Sequence, residues 1–172
     1  MKKVILLVAL IFSGLNVVSA QMKLAHVNSQ KLLDTMPSRR DAVEKLKKFE
    51  QDGYLELQEI QKDLEVSYKK YEQNKSTWSP VILKIEEEKI MKKQQGLEDR
   101  QTALQQEMQI YTQELNKPIL ARVQKAVEIV SDRKKINYVL DESSTLYFKG
   151  GMDITSEVLV ELMLLDLAAT KK

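Results

Sequence analysis

The chain has 172 residues, with 27 Lys and Arg against 25 Asp and Glu, five glycines, three prolines and no cysteine. The missing cysteines exclude a disulfide framework and any thiolate metal site, so stability has to come from burial. Few glycines and prolines beside 30% charged residues is the balance of long helices, not of a compact globule.

In chain order, Lys2 and Lys3 precede an unbroken apolar run, Val4 to Phe12, and Val18-Ser19-Ala20 ends in the small residues that a signal peptidase reads. The run is shorter than the roughly 20 apolar residues that a transmembrane helix needs. Residues 1–20 are therefore expected to be a cleaved export signal, leaving Gln21 to Lys172. Loss of Lys2 and Lys3 leaves 25 basic residues facing 25 acidic ones. A neutral mature chain has no compositional support for nucleic-acid binding.

Lys23 to Asn28 reads as a strand crowded enough with apolar groups for burial on both faces. Asn28 or Ser29 can cap a short helix through Leu32, Leu33 and Met36, which Pro37 ends. A long helix is then expected from Ser38, opened by a near capping box, Ser38-Arg39-Arg40-Asp41. Val43, Leu46, Phe49, Leu57, Ile60, Leu64, Tyr68 and Tyr71 recur at mostly three- and four-residue steps. Such a narrow apolar stripe on a charged helix calls for a partner helix.

Asn74 to Pro80 interrupts the stripe, and Ser79-Pro80 is a strong helix start, with a hydroxyl to cap and a proline for the first turn. The returning helix carries Ile82, Ile85, Leu97, Leu104, Met108, Tyr111, Leu115, Ile119, Val123, Val127 and Val130. An outgoing helix of about 38 residues would project roughly 57 Å. Gly53 and Gly96, each costing about 1 kcal/mol relative to alanine in a helix, and Pro118, which removes a backbone donor, are candidate hinges.

Beyond the arm, Ile136 to Asp141 is a strand candidate, Glu142-Ser143-Ser144 a turn, and Thr145 to Phe148 a second strand ending at Gly150-Gly151. A helix from Ser156 to about Ala169 is apolar nearly all round and so is expected to be buried. Residues 21–37 and 118–172 thus make a body and oligomerisation domain, and residues 38–117 a hairpin arm with its tip near 76–80. The expected class is α+β, mostly helical. About three short strands cannot close a barrel or hide every edge. Pooling strands between chains would do so, with Leu24, Val27, Val139, Leu146, Phe148, Leu159 and Leu162 as candidates for the shared core.

Site chemistry is sparse. His26 is the only histidine and lacks evident partners in the sequence, so it reads as structural. Glu86-Glu87-Glu88 point in different directions on a helix and make a solvated face. No GxxxxGK[ST] or GxGxxG pattern occurs, so neither enzyme nor cofactor is expected. Trp78 can close the hairpin or meet a partner. Tyr68, Tyr71, Trp78, Ile82 and Ile85 are the candidate contact residues, lining a cavity if two helices cannot bury them.

Lys23-Leu24-Ala25-His26-Val27-Asn28, Ile119 to Val127 with Tyr138-Val139-Leu140-Asp141, and Asp153-Ile154-Thr155-Ser156-Glu157-Val158-Leu159 occur in the order of the Skp (OmpH-like) periplasmic chaperones, which the chain resembles. The resemblance covers both ends of the mature chain and the helical middle. It implies a periplasmic homotrimer whose strands form one barrel and whose helical hairpins hold unfolded outer-membrane proteins without ATP. The alternative is an exported coiled-coil scaffold or tether between envelope components. The family's best-known members are distinctly basic. Here eight basic residues face six acids between Lys62 and Lys93, which gives no support to lipopolysaccharide or anionic-membrane contact.

Overall fold

A computed structural model describes residues 22–170, and the expected signal at 1–20 lies outside them. The elements run β1 (Leu24–Val27), α1 (Ser29–Thr35), α2 (Pro37–Asn74), α3 (Pro80–Lys134), β2 (Tyr138–Asp141), a 3₁₀ turn (Glu142–Ser144), β3 (Met152–Asp153) and α4 (Thr155–Thr170). The fold is α+β and mostly helical. Helices α2 and α3 form one long antiparallel hairpin rooted in a small body, and no helix among the described residues is long and apolar enough to cross a membrane.

The body's sheet has the order β2-β1-β3, with both neighbours parallel to β1. Strand residues alternate between faces, so Ala25, Val27 and Val139 share one face while Leu24, His26, Tyr138 and Leu140 share the other. The first face is buried against Leu32 and Met36 from the α1 segment, Ala42 of α2, Ile119 to Val130 of α3, and Ile154, Val158 and Leu162 at α4. Fully burying a side chain such as Leu162 contributes about 1.5–3 kcal/mol. On the second face Phe148 covers His26, but Leu24, Tyr138 and Leu140 are exposed. The burial of β1 on both faces that its apolar content predicts therefore occurs on one face only within a protomer.

Local chemistry explains most boundaries. Asn28 caps α1 by accepting from the Lys31 amide at 2.8 Å. Lys135 adopts a left-handed φ of 55° to end α3, and the Ile136 amide bonds back to the Ser131 carbonyl at 2.9 Å. Asp141 ties the end of β2 to the start of α1 through Ser29 Oγ at 2.6 Å and N at 3.3 Å. Burial pushes this carboxyl up, but the Ser29 and Ser143 hydrogen bonds outweigh it and hold Asp141 below its ordinary value.

Three expectations are corrected. Thr145–Phe148 forms no strand; the third strand is Met152–Asp153. Asp141 captures Ser143, and its carbonyl accepts from Ser144 and Thr145, turning the chain away from the sheet so that Leu146 is fully exposed. The long helix begins at Pro37, not Ser38, and the Ser38–Asp41 capping box does not form. Met36 is the cap residue, and the Ser38 amide and hydroxyl are both taken by Asp166, at 3.0 and 2.5 Å. Helix α4 is not buried all round: Val158 and Leu162 face the core, while Val160, Leu164 and Leu167 are exposed.

Asp166 joins the three helices that meet at the arm's root. It is fully buried in α4, lies 2.9 Å from Arg122 Nε of α3, and accepts from Ser38 of α2; Arg122 Nη2 also donates to Ser38 Oγ at 2.9 Å. Its negative charge stands at the N-terminus of α2, where the helix dipole favours it. Asp166→Ala is expected to cost about 3 kcal/mol in urea unfolding, the low end for breaking a buried pair because Arg122 reaches solvent. A loss below about 1 kcal/mol would show that apolar packing alone holds the root.

Candidate functional site

The arm is the feature in excess of what a small folded body needs. At 1.5 Å per residue the 38 residues of α2 span about 57 Å, and α3 supplies the return and then 17 residues beyond Lys117 that pack in the body. The seam is made of a few pairs. Phe49 meets Tyr111 with ring centroids 5.2 Å apart, and Leu64 and Ile90 are the buried apolar side chains of the outer half. Gly53 faces α3 closely: a β-carbon there would stand 3.0 Å from Leu104 Cδ2. Beside it runs an open apolar groove of about 460 Å³, lined by Phe49, Tyr54, Leu57, Leu104 and Met108.

Ion pairs clasp the seam. Arg100 donates to both carboxylate oxygens of Glu56, at 2.7 and 2.9 Å, and through its remaining nitrogen to Glu107 at 2.9 Å. Lys93 bridges Asp63 at 2.6 Å and Ser67 at 2.8 Å. The hydrogen bond from Arg100 holds the Glu56 carboxyl below its ordinary value, and Lys89, aided by Lys70, does the same for Glu86.

At the tip, Ser79 Oγ accepts from the Ile82 amide at 3.4 Å and Pro80 opens α3. The Trp78 and Thr77 amides donate to the Asn74 carbonyl at 3.1 and 2.9 Å, closing the turn. Trp78 is half-buried, edge-on to Tyr71 at 6.2 Å, with Lys70 Nζ 5.6 Å from its ring centre. Tyr71 donates to Glu87, and that hydrogen bond pushes its phenol up. Tyr71 and Trp78 thus pack across the tip and hold each other.

Tyr68, Ile82 and Ile85 stand outside the seam. All three are exposed, and the Tyr68 hydroxyl donates to Gln94 Oε1 of α3 at 3.3 Å. Leu83 and Ile90 take the seam positions near the tip, one residue after Ile82 and five after Ile85, so the returning stripe read from the sequence is offset here. Val66, Val81 and Met91, which sequence reasoning did not single out, are further bare apolar side chains of the outer arm, Val81 at 69% and Met91 at 62% exposure. Val66 interrupts an otherwise polar stretch off the stripe, while Val81 and Met91 adjoin other apolar residues and carry no separate signal. Helix α2 runs unbroken through Gly53 and helix α3 through Gly96 and Pro118. Gly96 faces open space, whereas a β-carbon at Gly53 would crowd Leu104, whose side chain would have to give by a few tenths of an ångström.

The candidate oligomer residues divide. Val27 and Leu162 lie in the protomer core, Val139 and Leu159 pack against it, and Leu24, Leu146 and Phe148 are exposed. His26 is not partnerless: its Nδ1 is 2.7 Å from Glu142 Oε1, and Phe148 covers its ring at 4.7 Å.

Comparison with known proteins extends this geometry. The family profile described as outer membrane protein (OmpH-like) matches residues 23–162. The chain is 27% identical over 140 residues to the chaperone protein Skp of Photorhabdus laumondii, covering 81% of this chain and 85% of that one. It is 27% identical over 146 residues to chaperone protein Skp of Pectobacterium atrosepticum, covering 84% and 88%. A crystal structure of a putative outer membrane chaperone (OmpH-like) from Caulobacter crescentus superposes with a TM-score of 0.73 at 18% identity, over 85% of this chain and 86% of that one, which establishes the shared fold.

The clasp yields a pH dependence. Because the folded state depresses Glu56, its contribution is fully present above the ordinary carboxylate value and is lost as pH falls through the depressed one. Amide exchange along the mid-arm, corrected for intrinsic rates, should stay flat from neutral pH to about 5 and rise below about 4. Glu56→Gln should remove that part of the profile; an unchanged profile in the variant would refute the assignment.

Proposed function

The chain belongs to the OmpH-like outer membrane protein family, and from that membership we propose that it is a chaperone of the ATP-independent holdase kind. On this reading it works in the periplasm, binds unfolded outer-membrane proteins between flexible helical arms, and prevents their aggregation. The observation that carries the proposal is the bare apolar surface on the outer arm. Tyr68, Val81, Ile82, Ile85 and Met91 stay exposed on helices whose own seam is already filled by Leu83, Ile90 and Leu64. A purely structural tether would have no use for apolar groups beyond its seam. Interspersed Lys and Glu keep that surface soluble and make each contact weak, so release needs no fuel. Folding of the client into the outer membrane outcompetes many small contacts.

Assembly follows from the sheet. Parallel sheets are found with both faces covered, yet here Leu24, Tyr138 and Leu140 lie on an uncovered face with Phe148 beside them. The two edge strands are only four and two residues long. Three copies pooling their strands would cover that face and pair those edges, giving a homotrimer with three arms around one cavity.

The test is a light-scattering assay with a urea-denatured β-barrel client, paired with sedimentation analysis. The parent should sediment as a trimer and suppress scattering at one trimer per client. Replacing Tyr68, Ile82 and Ile85 together by serine should leave the trimer intact and reduce suppression several-fold. A monodisperse monomer would sink the assembly, and full suppression by the triple variant would remove the arm surface from client binding. Leu140→Asp should shift the assembly towards monomer, because it sets three charges on the covered face.

A further inference from the structure

We propose that His26, Glu142 and Asp153 form a binding site for a divalent transition cation of the zinc class. The three residues come from β1, the turn after β2, and β3, and one ligand atom from each lies within 4.8 Å of the others. His26 Nδ1 and Glu142 Oε1 are 2.7 Å apart. One imidazole nitrogen with two carboxylate oxygens suits zinc and its neighbours, which accept nitrogen donors; magnesium and calcium prefer all-oxygen sites.

The ligands are already oriented. Asn28 Nδ2 donates to Glu142 Oε2 at 2.9 Å, which leaves Oε1 facing His26 Nδ1, and the Thr155 amide donates to Asp153 Oδ1 at 2.8 Å. Such outer partners commonly tune metal affinity by 10–100-fold. The imidazole is packed by the Phe148 ring, and a β-carbon at Gly151, whose φ of +93° suits glycine, would stand 3.4 Å from its Cδ2. His26 and Glu142 are largely shielded from solvent, while Asp153 is exposed and gives the cation a route in and room for a water. Two carboxylates and a neutral imidazole balance a dication, and a neutral His26 that donates from Nδ1 would move that proton to Nε2, freeing the Nδ1 lone pair for the metal in place of the Glu142 hydrogen bond.

Bound there, the cation would brace all three strands of a sheet that otherwise holds β3 through two residues. Titration calorimetry of the purified full chain with zinc chloride in a non-chelating buffer is the direct test. One zinc per chain is expected, with magnesium chloride giving no comparable heat. Asp153→Asn keeps the oxygen that caps α4 and should weaken zinc binding about tenfold or more. His26→Gln should do the same, and melting without metal checks that both variants fold. No saturable binding at one per chain, or equal affinity in the parent and Asp153→Asn, would overturn the proposal. Neither result bears on client holding, which the scattering assay reads separately.

Discussion

A buried carboxylate placed where three helices converge sets the geometry of the molecule. Asp166 lies in the apolar face of α4, accepts from the first turn of α2, and stands against Arg122 of α3. Leaving that charge unpaired in the interior would cost several kcal/mol. The outgoing and returning helices must therefore pass α4 at the one position where Ser38 and Arg122 both reach it. The arm's direction of departure is fixed by polar satisfaction, since apolar packing alone would tolerate sliding and rotation.

From that root outward the balance changes. Near the body the helices share Ala42, Leu115, Ile119 and Val123 with the core, so burial dominates. Farther out the seam narrows to single apolar pairs reinforced by charge clasps such as Arg100 with Glu56 and Lys93 with Asp63. Exposed ion pairs are each worth about 0–1 kcal/mol. The outer arm is thus the least stable part of the fold, and it is also where apolar side chains are left bare. On the proposed chaperone reading, an arm held by so few contacts, with apolar side chains left bare, suits a partner of no fixed shape.

Features written in short stretches of sequence were legible. Ser79-Pro80, the stripe from Leu46 to Leu64, and Asn28 as a cap all depend on neighbours within one turn of helix, so composition and spacing suffice; Val43 and Tyr68, read into the same stripe, stand exposed. Thr145–Phe148 misled because its apolar, β-branched pattern is that of a strand, while Asp141 and the following serines decide that the chain leaves the sheet. The offset near the tip, where Leu83 takes the seam position beside exposed Ile82, is a one-residue choice that periodicity cannot resolve. Asp166 offered only the oddity of a charge between two leucines. His26 looked solitary because Glu142 lies 116 residues away, and only the parallel pairing of β1 brings them together. The open sheet face was foreshadowed by too few strands for too much apolar surface.

The pairing of β1 also orders events in time. Every strand contact of this first element lies beyond residue 137, with Lys23 bonded to Asn137 across 114 positions. The arm, by contrast, joins residues on either side of a short turn, and its nearest pairs are 16 to 26 positions apart. Loop-closure entropy makes such local contacts quick to form and distant ones slow. In a chain emerging end first, the hairpin can zip from its tip while β1 waits for the last segment to arrive. Nascent copies would therefore pass through a stage with formed arms and an unpaired N-terminal strand.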